Sequence, residues 1–288
     1  MNFRPEIPTH SPYEVICNDR ERLEATIQDF KKDGPEKMYV LADFDRTLTT
    51  AKPVPSVTSE IRSSGVLGPE YATTSSELFK KYYPIEINYN LNPEERAAKM
   101  QEWQEQTNNL LIKLGLTKQM LDQIIDNPGI CFRQGLEKFL AQLGNSNIPL
   151  VLMSSGPRYL IEGHLKKAGL YRPGIHIIAN EYEFDETGKL LRIKEPIINL
   201  ANKAKILVAG HECHQDVADR PNVLVLGDNI DDLDMVEGSK FDNLLSVGFL
   251  NDETDPDSRQ KYSLSFDAVV TGDGPMDFPN KLVGEITA

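Results

Sequence analysis

The stretch MYVLADFDRTLT, residues 38–49, decides how this chain is read. Met38 to Ala42 form a short apolar run, and Asp43 and Asp45 close it with two carboxylates one residue apart. Such a run predicts a strand buried on both faces, delivering its acids at the carboxyl end. In an ideal strand residues two apart point to the same side, so Asp43 and Asp45 would be neighbours. Two bare carboxylates that close repel, so one must be protonated or a cation must sit between them.

Beyond Leu48 the composition changes. Residues 49–75 are rich in Thr, Ser, Pro and Gly and are expected to be mostly loop. Residues 92–125 are expected to be helical, with Asn92 as the cap and Pro93 at the first helical position. Met100, Trp103, Leu110 and Leu114 follow on one face, and Asn127-Pro128-Gly129 closes the block. From residue 131 helices and strands alternate. Helical patterns at 134–143 and 157–168 precede the strands IPLVLMSS (148–155) and IHIIAN (175–180). NVLVLGD (222–228), LLSVGFL (244–250) and DAVVTG (267–272) are further apolar strands. Upstream, residues 12–32 are expected to form an amphipathic helix through Leu23, Ile27 and Phe30, stopped by Gly34-Pro35.

Strands alternating with helices predict an α/β fold with a doubly wound parallel sheet. The first strand precedes the helical block, so that block reads as an insertion. The expected division is a core of residues 1–48 and 131–288 and a helical cap of residues 49–130. Ligands in such sheets bind at the carboxyl ends of the strands. That places candidate chemistry at Asp43 and Asp45, at Ser154 and Ser155, and at Asp228.

LGDNIDDLDMVEG (226–238) repeats the pattern of an apolar strand ending in acid, at Asp228, with Asp231, Asp232 and Asp234 crowding the turn that follows. Helix starts favour acids, so Asp231 and Asp234 are explained as capping residues, whereas Asp228 is not. Oxygen ligands from two strand ends suit Mg²⁺, which takes one or two carboxylates plus phosphate oxygens. LMSSGP (152–157) offers hydroxyls and backbone N–H groups at a helix entry, where a phosphate can be held. Lys203, in NLANKAKI (199–206), adds a candidate cation.

In this order DFDRT, a strand-end serine, a later lysine and GDNIDD resemble the haloacid-dehalogenase superfamily of phosphotransferases. YYPIEIN (82–88), EWQEQTNNLL (102–111), FDETG (184–188), Asn202-Lys203 and GFLND (248–252) narrow the resemblance to the cytosolic pyrimidine 5'-nucleotidase (type III) family. The likeness implies Asp43 as the nucleophile that becomes an aspartyl phosphate. It implies Asp45 as general acid and base, Ser154 and Ser155 as phosphate binders, and Lys203 as the cation on the phosphoryl oxygens. Mg²⁺ would be held by Asp43, the backbone carbonyl of Asp45, and Asp228, supported by Asp232. Glu86 and Thr107 would meet the nucleoside, Glu86 accepting from a cytosine amino group. Trp103 reads first as an anchor between cap helices. Where the family carries an aromatic residue after its first motif, this chain has Ala51, and the stretch that follows is replaced by KPVPSVTSEIRSSGVLG (52–68).

The remaining signals mostly exclude. With 44 acidic against 31 basic residues the net charge is −13, which argues against a nucleic-acid polymer as partner. No apolar run approaches the ~18 residues of a membrane helix. MNFRPEIPTHSPYEV (1–15) has no hydrophobic signal core, so a cytoplasmic protein is expected. Cys17, Cys131 and Cys213 are odd in number and far apart, and imply no disulfide framework. HECH (211–214) lacks metal-site spacing and is expected to be an exposed loop, and FDETG a hairpin turn. Walker, GxGxxG and GxSxG patterns are missing. The expected activity is Mg²⁺-dependent hydrolysis of nucleoside 5'-monophosphates such as CMP or UMP. The alternatives are hydrolysis of another small phosphate ester and a non-catalytic binding domain on the same fold.

Overall fold

The structure, a computed structural model, describes residues 13–88, 91–206, 208–254 and 256–288. Seven strands form its main sheet: β1 (Val15–Ile16), β2 (Met38–Ala42), β3 (Leu150–Pro157), β4 (Ile175–Asn180), β7 (Asn222–Gly227), β8 (Asn243–Leu250) and β9 (Ala268–Thr271). Their order is β1-β9-β8-β7-β2-β3-β4. All neighbours are parallel except β1, which runs antiparallel to β9 at one edge. This is the doubly wound α/β sheet expected from the alternating pattern.

The alternation of side chains along each strand builds two cores. On one face Val40, Ala42, Leu150, Leu152 and Leu224 pack with helices α1 (Arg20–Asp33), α6 (Leu136–Asn145), α7 (Arg158–Lys167) and α10 (Asp277–Ile286). On the other, Tyr39, Leu41, Val151, Met153, Val223 and Val225 are covered by the segment 198–217, which holds the short helix α8 (His214–Val217), and by Met235 and Val236. Helix α9 (Ser258–Ser265) lies against β8 and β9. The central strands β2 and β7 are apolar from Met38 to Ala42 and from Val223 to Gly227 because both of their faces are buried.

Two expectations are corrected. The amino-terminal helix starts at Arg20, where the Asp19 side chain accepts from Arg22 N, and not at residue 12. Val15 and Ile16 instead pair with Val270 and Val269, because the sheet edge offers backbone partners that helix extension would forfeit. Pro12 lies outside the described residues. Residues 49–75 are not mostly loop. They contain α2 (Val57–Ser64) and the start of α3 (Gly68–Glu86). The Ser56 side chain accepts from Ser59 N, Val57 and Ile61 are buried four residues apart, and Gly65 ends α2 in the left-handed region.

Helices α4 (Pro93–Lys113) and α5 (Lys118–Asp126) complete the block between β2 and β3. The Asn92 side chain accepts from Glu94 N and Glu95 N, with Pro93 next in the chain, as the capping pattern predicts. Trp103 of α4 stacks on Tyr82 (centroids 5.8 Å apart) and meets Phe79 edge-on, so it fastens α4 to α3. The hairpin of β5 (Tyr182–Phe184) and β6 (Leu190–Ile193) turns through FDETG and joins this helical layer. Lys118 N donates to Gly188 O and Leu190 N to Leu116 O. Helix α4 also packs against the turn Leu200–Lys205, which lays the helical block over the ends of β2 and β7.

Candidate active site

Strands β2 and β7 are adjacent and in register, with Ala42 opposite Leu226, so their next residues emerge side by side. Asp43 N still donates to Leu226 O, which fixes the first carboxylate beside the second strand's end. Gly227 is required here, because a Cβ on it would collide with the side chain of Asp232. Asp232 therefore folds back onto the strand end, where its Oδ2 accepts from Asp228 N (3.1 Å) and Asn229 N (3.0 Å). The result is a buried trio, Asp43, Asp228 and Asp232, each offering a carboxylate oxygen within 4.8 Å of the others. Among the described residues no other cluster of acids, histidines or cysteines could hold a metal ion.

Two cations face this trio. Lys203, 2% exposed, donates to Asp43 Oδ1 at 2.6 Å and to Asp232 Oδ1 at 2.7 Å. Arg46, from the DFDRT loop itself, places its Nε 3.0 Å from Asp228 Oδ2. Burial pushes the Asp43 carboxyl up to about 7, against the pull of Lys203 and with further repulsion from Asp232 and Asp228. Asp228 is also raised to about 7 by burial, with Arg46 opposing. Burial works against charge on Lys203, but Asp232 and Asp43 together hold it firmly protonated. When ionised, three acids face two cations, and the hard oxygen donors of the trio fit a small divalent cation such as Mg²⁺.

Asp45 stands apart from the trio. Its Oδ1 accepts from Val57 N (3.0 Å) at the start of α2, so a helix missed in the sequence holds the second acid of the motif. Burial, then repulsion from Asp43, raises its carboxyl to about 7. Gly156 lies close by, and a Cβ there would strike Val57 and approach Asp45 Oδ2 at 3.5 Å. Ser154, buried at the end of β3, accepts from Gly156 N at 3.0 Å through its hydroxyl. The Ser155 carbonyl is held by Asn180. The carboxyl ends of β2, β3 and β7 therefore bring Asp43, Asp45, Ser154, Ser155, Lys203, Asp228 and Asp232 to one end of the sheet.

Glu86 ends α3 near this group. Burial raises its carboxyl, and Arg46 is the strongest opposing influence. Thr107 is buried in α4, one turn beyond Trp103, and no hydrogen bond or ion pair joins it to the acidic trio. Ala51 N donates to the Asp273 carboxylate, at 2.9 Å to Oδ1. HECH is exposed at His211, Glu212 and His214, but Cys213 packs into the core beside Val217 and Ile206 and is not part of an exposed loop.

Several partners escaped the sequence. Asp231 is more than a capping acid: Arg96 of α4 binds both its oxygens, at 2.8 and 2.6 Å, and donates to Glu86 O at 3.1 Å. Arg133, fully buried, donates to the carbonyls of Thr47, Gly274 and Arg46 and to Asn251 Oδ1, and lies 4.2 Å over the Phe249 ring. Asn251 Nδ2 also donates to Arg46 O. The only available signal was Arg46's place inside the motif, since the other pairs are separated by up to 141 residues.

A doubly wound sheet with paired strand-end acids, a buried lysine and a serine at a helix entry defines a phosphatase of the haloacid-dehalogenase superfamily. The profile of the family described as "Pyrimidine 5'-nucleotidase (UMPH-1)" matches residues 44–287, and the chain belongs to this family of 5'-nucleotidases. The 7-methylguanosine phosphate-specific 5'-nucleotidase of Homo sapiens is 30% identical over 286 residues, covering 98% of this chain and 95% of that one. Its Xenopus laevis counterpart B is 29% identical, covering 95% and 96%. The crystal structure of cytosolic 5'-nucleotidase IIIB bound to cytidine superposes with a TM-score of 0.83 at 26% identity, covering 94% and 93% of the two chains. The chain is thus a phosphomonoesterase acting on nucleoside 5'-phosphates. Among its described residues no helix is long and apolar enough to cross a membrane.

Proposed function

We propose that this 5'-nucleotidase hydrolyses CMP and related nucleoside 5'-monophosphates through an aspartyl phosphate on Asp43, with Mg²⁺ as cofactor. The observation that carries the reading is Asp43, held at 2.6 Å by a buried lysine and flanked by Asp228 and Asp232. A carboxylate fixed there is oriented for in-line attack on phosphorus, and phosphoryl transfer needs chiefly positioning and charge neutralisation. Asp43, Asp228 and the Asp45 backbone carbonyl would hold the ion, with Asp232 orienting the set. When bound, the ion neutralises the phosphoryl oxygens. Lys203 shares that neutralisation, and Ser154, Ser155 and the N–H groups entering α7 receive the remaining oxygens. Asp45, raised to about 7, carries a proton near neutral pH and donates it to the leaving 5'-oxygen, then takes one from the attacking water.

The helices between residues 49 and 130 act as a cap over a core of residues 1–48 and 131–288, excluding bulk water. Glu86 and Thr107 select the base, Glu86 accepting from an exocyclic amino group. Cytosine and 7-methylguanine both carry such a group and uracil does not, so CMP is preferred over UMP. The names of the animal relatives favour 7-methylguanosine 5'-monophosphate as a second substrate. A cytoplasmic setting agrees with the name of the Caenorhabditis elegans relative, "Putative cytosolic 5'-nucleotidase 3".

The test combines a nucleotide panel with the Asp43→Asn variant, with and without EDTA, reading phosphate release. Wild type should release phosphate from CMP only with divalent metal, and hydroxylamine should trap an acyl phosphate. Asp43→Asn should fold and release none. Wild-type turnover by that variant would refute the assignment of the nucleophile, and a panel preference for non-nucleotide esters would refute the substrate.

A further inference from the structure

Helix α2 carries the amide that holds Asp45, yet its own sequence gives it little reason to stay in place. Its eight residues, VTSEIRSS, are poor in strong helix formers, so its position is decided by what it touches. The amides of a first helical turn have no partners within the helix. Here Val57 N donates to Asp45 Oδ1 at 3.0 Å, and Ser59 N donates to the Ser56 hydroxyl. With Oδ1 engaged by that N–H, the proton of Asp45 is left to Oδ2, the oxygen on the side of Gly156 and the phosphate-binding turn. The place of Val57 therefore decides where that proton is carried.

One turn along, Glu60 fixes α2 from outside. Its Oε2 lies 2.7 Å from His164 Nε2 in the last turn of α7, and both side chains are only 2% exposed. Its Oε1 accepts from Gly129 N at 2.6 Å and from Ile130 N at 3.3 Å, where the chain runs back from α5 towards α6. At the start of α2 the Val57 side chain rests on Gly156, just ahead of α7, with no room for a Cβ between them. Helix α2 is thus located against one neighbour twice, at Gly156 before α7 and at His164 in its last turn. A pair that touches neither the acidic trio nor the phosphate-binding serines thereby reaches Asp45 through a single turn of helix.

We propose that His164 and Glu60 are positioning residues: their buried pair anchors α2 on α7 and so holds the Val57 amide that aims Asp45 at the leaving oxygen. This rests on the reading of Asp45 as the general acid. Without the pair α2 keeps its apolar contacts but its first turn can shift, and a displacement of about 1 Å at a catalytic group costs on the order of 10²-fold.

The test compares kcat/KM for CMP with kcat/KM for the analogue in which sulfur replaces the bridging 5'-oxygen. A thiolate leaves without being protonated, so the analogue needs no general acid while presenting the same nucleoside and phosphate. In His164→Leu the value for CMP should fall about 10–100-fold and that for the sulfur analogue by less than about threefold. His164→Gln, whose amide can donate to Glu60, should restore most of the CMP rate. His164→Asn, too short to reach Glu60, serves if the leucine variant fails to fold. If wild type does not cleave the analogue, 4-nitrophenyl phosphate replaces it, since its leaving group also departs unprotonated. A merely structural role would slow both substrates together, which overturns the proposal, as does an unchanged CMP rate in His164→Leu. Asp45→Asn separates the two readings and should show the same contrast more strongly. If it slows both substrates equally, the reading of Asp45 as the acid is what fails. If it shows the contrast and His164→Leu does not, the positioning role alone fails.

Discussion

Lys203→Met is the sharpest perturbation available to this site. The ammonium is 2% exposed and donates at 2.6 and 2.7 Å to Asp43 and Asp232, whose side chains are 9% and 0% exposed. Truncating one partner of such a buried pair leaves uncompensated charge and costs about 3–5 kcal/mol. Domain stabilities run to about 5–15 kcal/mol, so the loss is a large fraction of the total. At roughly 2–4 °C per kcal/mol for a protein of this size, melting should fall by about 6–20 °C. The experiment is thermal unfolding in EDTA at pH 5 and pH 8. Asp43 already has a folded pKa raised from 3.8 to about 7, and Lys203 is the strongest influence holding it down. Without the lysine it rises further. A carboxyl raised by folding binds more protons in the native state than in the unfolded one, so stability falls as pH climbs from about 4 towards the folded pKa. The variant's deficit should therefore be larger at pH 8 than at pH 5, and divalent metal should narrow it at pH 8. Turnover with saturating metal should drop about 10²–10³-fold, the loss expected for one preorganised charge donor. A deficit independent of pH, or none at all, would refute the view that Lys203 is the resident counter-ion of Asp43.

The same linkage applies to the unmodified protein. Asp43, Asp45 and Asp228 all lie near 7, so in EDTA its melting temperature should decline from pH 5 to pH 8, and Mg²⁺ should raise it more at pH 8. Arg133→Met strips donors from three buried carbonyls and should cost about 3 kcal/mol or more in chemical denaturation, with lower kcat because the Arg46–Thr47 backbone loosens. Glu60→Ala should cost about 3 kcal/mol by the same measurement. It removes the buried partner of His164 (2.7 Å) and the acceptor of Gly129 N in the segment between α5 and α6. Calorimetry should find CMP binding to Asp43→Asn in EDTA tighter than to wild type in EDTA, because one repelling carboxylate is gone; weaker binding would contradict the charge argument.

Legibility in the sequence followed the range of the interactions. Strands buried on both faces announce themselves as unbroken apolar runs, so β2, β3, β4, β7, β8 and β9 could be placed from composition alone. The acids at their ends were visible because ligand sites follow from strand polarity. Helix α2 was hidden for a local reason. Its sequence, VTSEIRSS, is poor in strong helix formers, and it survives because Val57 and Ile61 are buried and Ser56 caps it. The edge strand β1 was masked by a helical pattern starting at Leu23, since two paired residues carry no periodicity. Arg96–Asp231 and the Arg133 clamp join segments more than 80 residues apart, and no spacing rule reaches that far. Thr107 is a different case: its place on α4, one turn beyond Trp103, was legible from the helical spacing, whereas the ligand atoms it would meet are not a property that spacing carries.

The charge of the whole chain and the charge of the site pull the same way, and that fixes the order of events. With a net charge of −13, the protein repels a nucleotide phosphate at long range. Locally Asp43, Asp45, Asp228 and Asp232 outnumber Lys203 and Arg46, so once these acids ionise the pocket is also negative. Neither cation can be lent to the substrate without exposing a buried acid, because each is already bonded to a carboxylate. A divalent ion changes both facts together. It would balance the excess acids, and would let Lys203 and Arg46 turn part of their hydrogen bonding towards an incoming ligand. Metal and nucleotide should therefore bind with positive coupling, each tightening the other by the same factor. Equal affinity of the wild type for a non-hydrolysable CMP analogue with and without Mg²⁺ would show that the lysine and arginine suffice, and would remove the need for the ion in substrate capture.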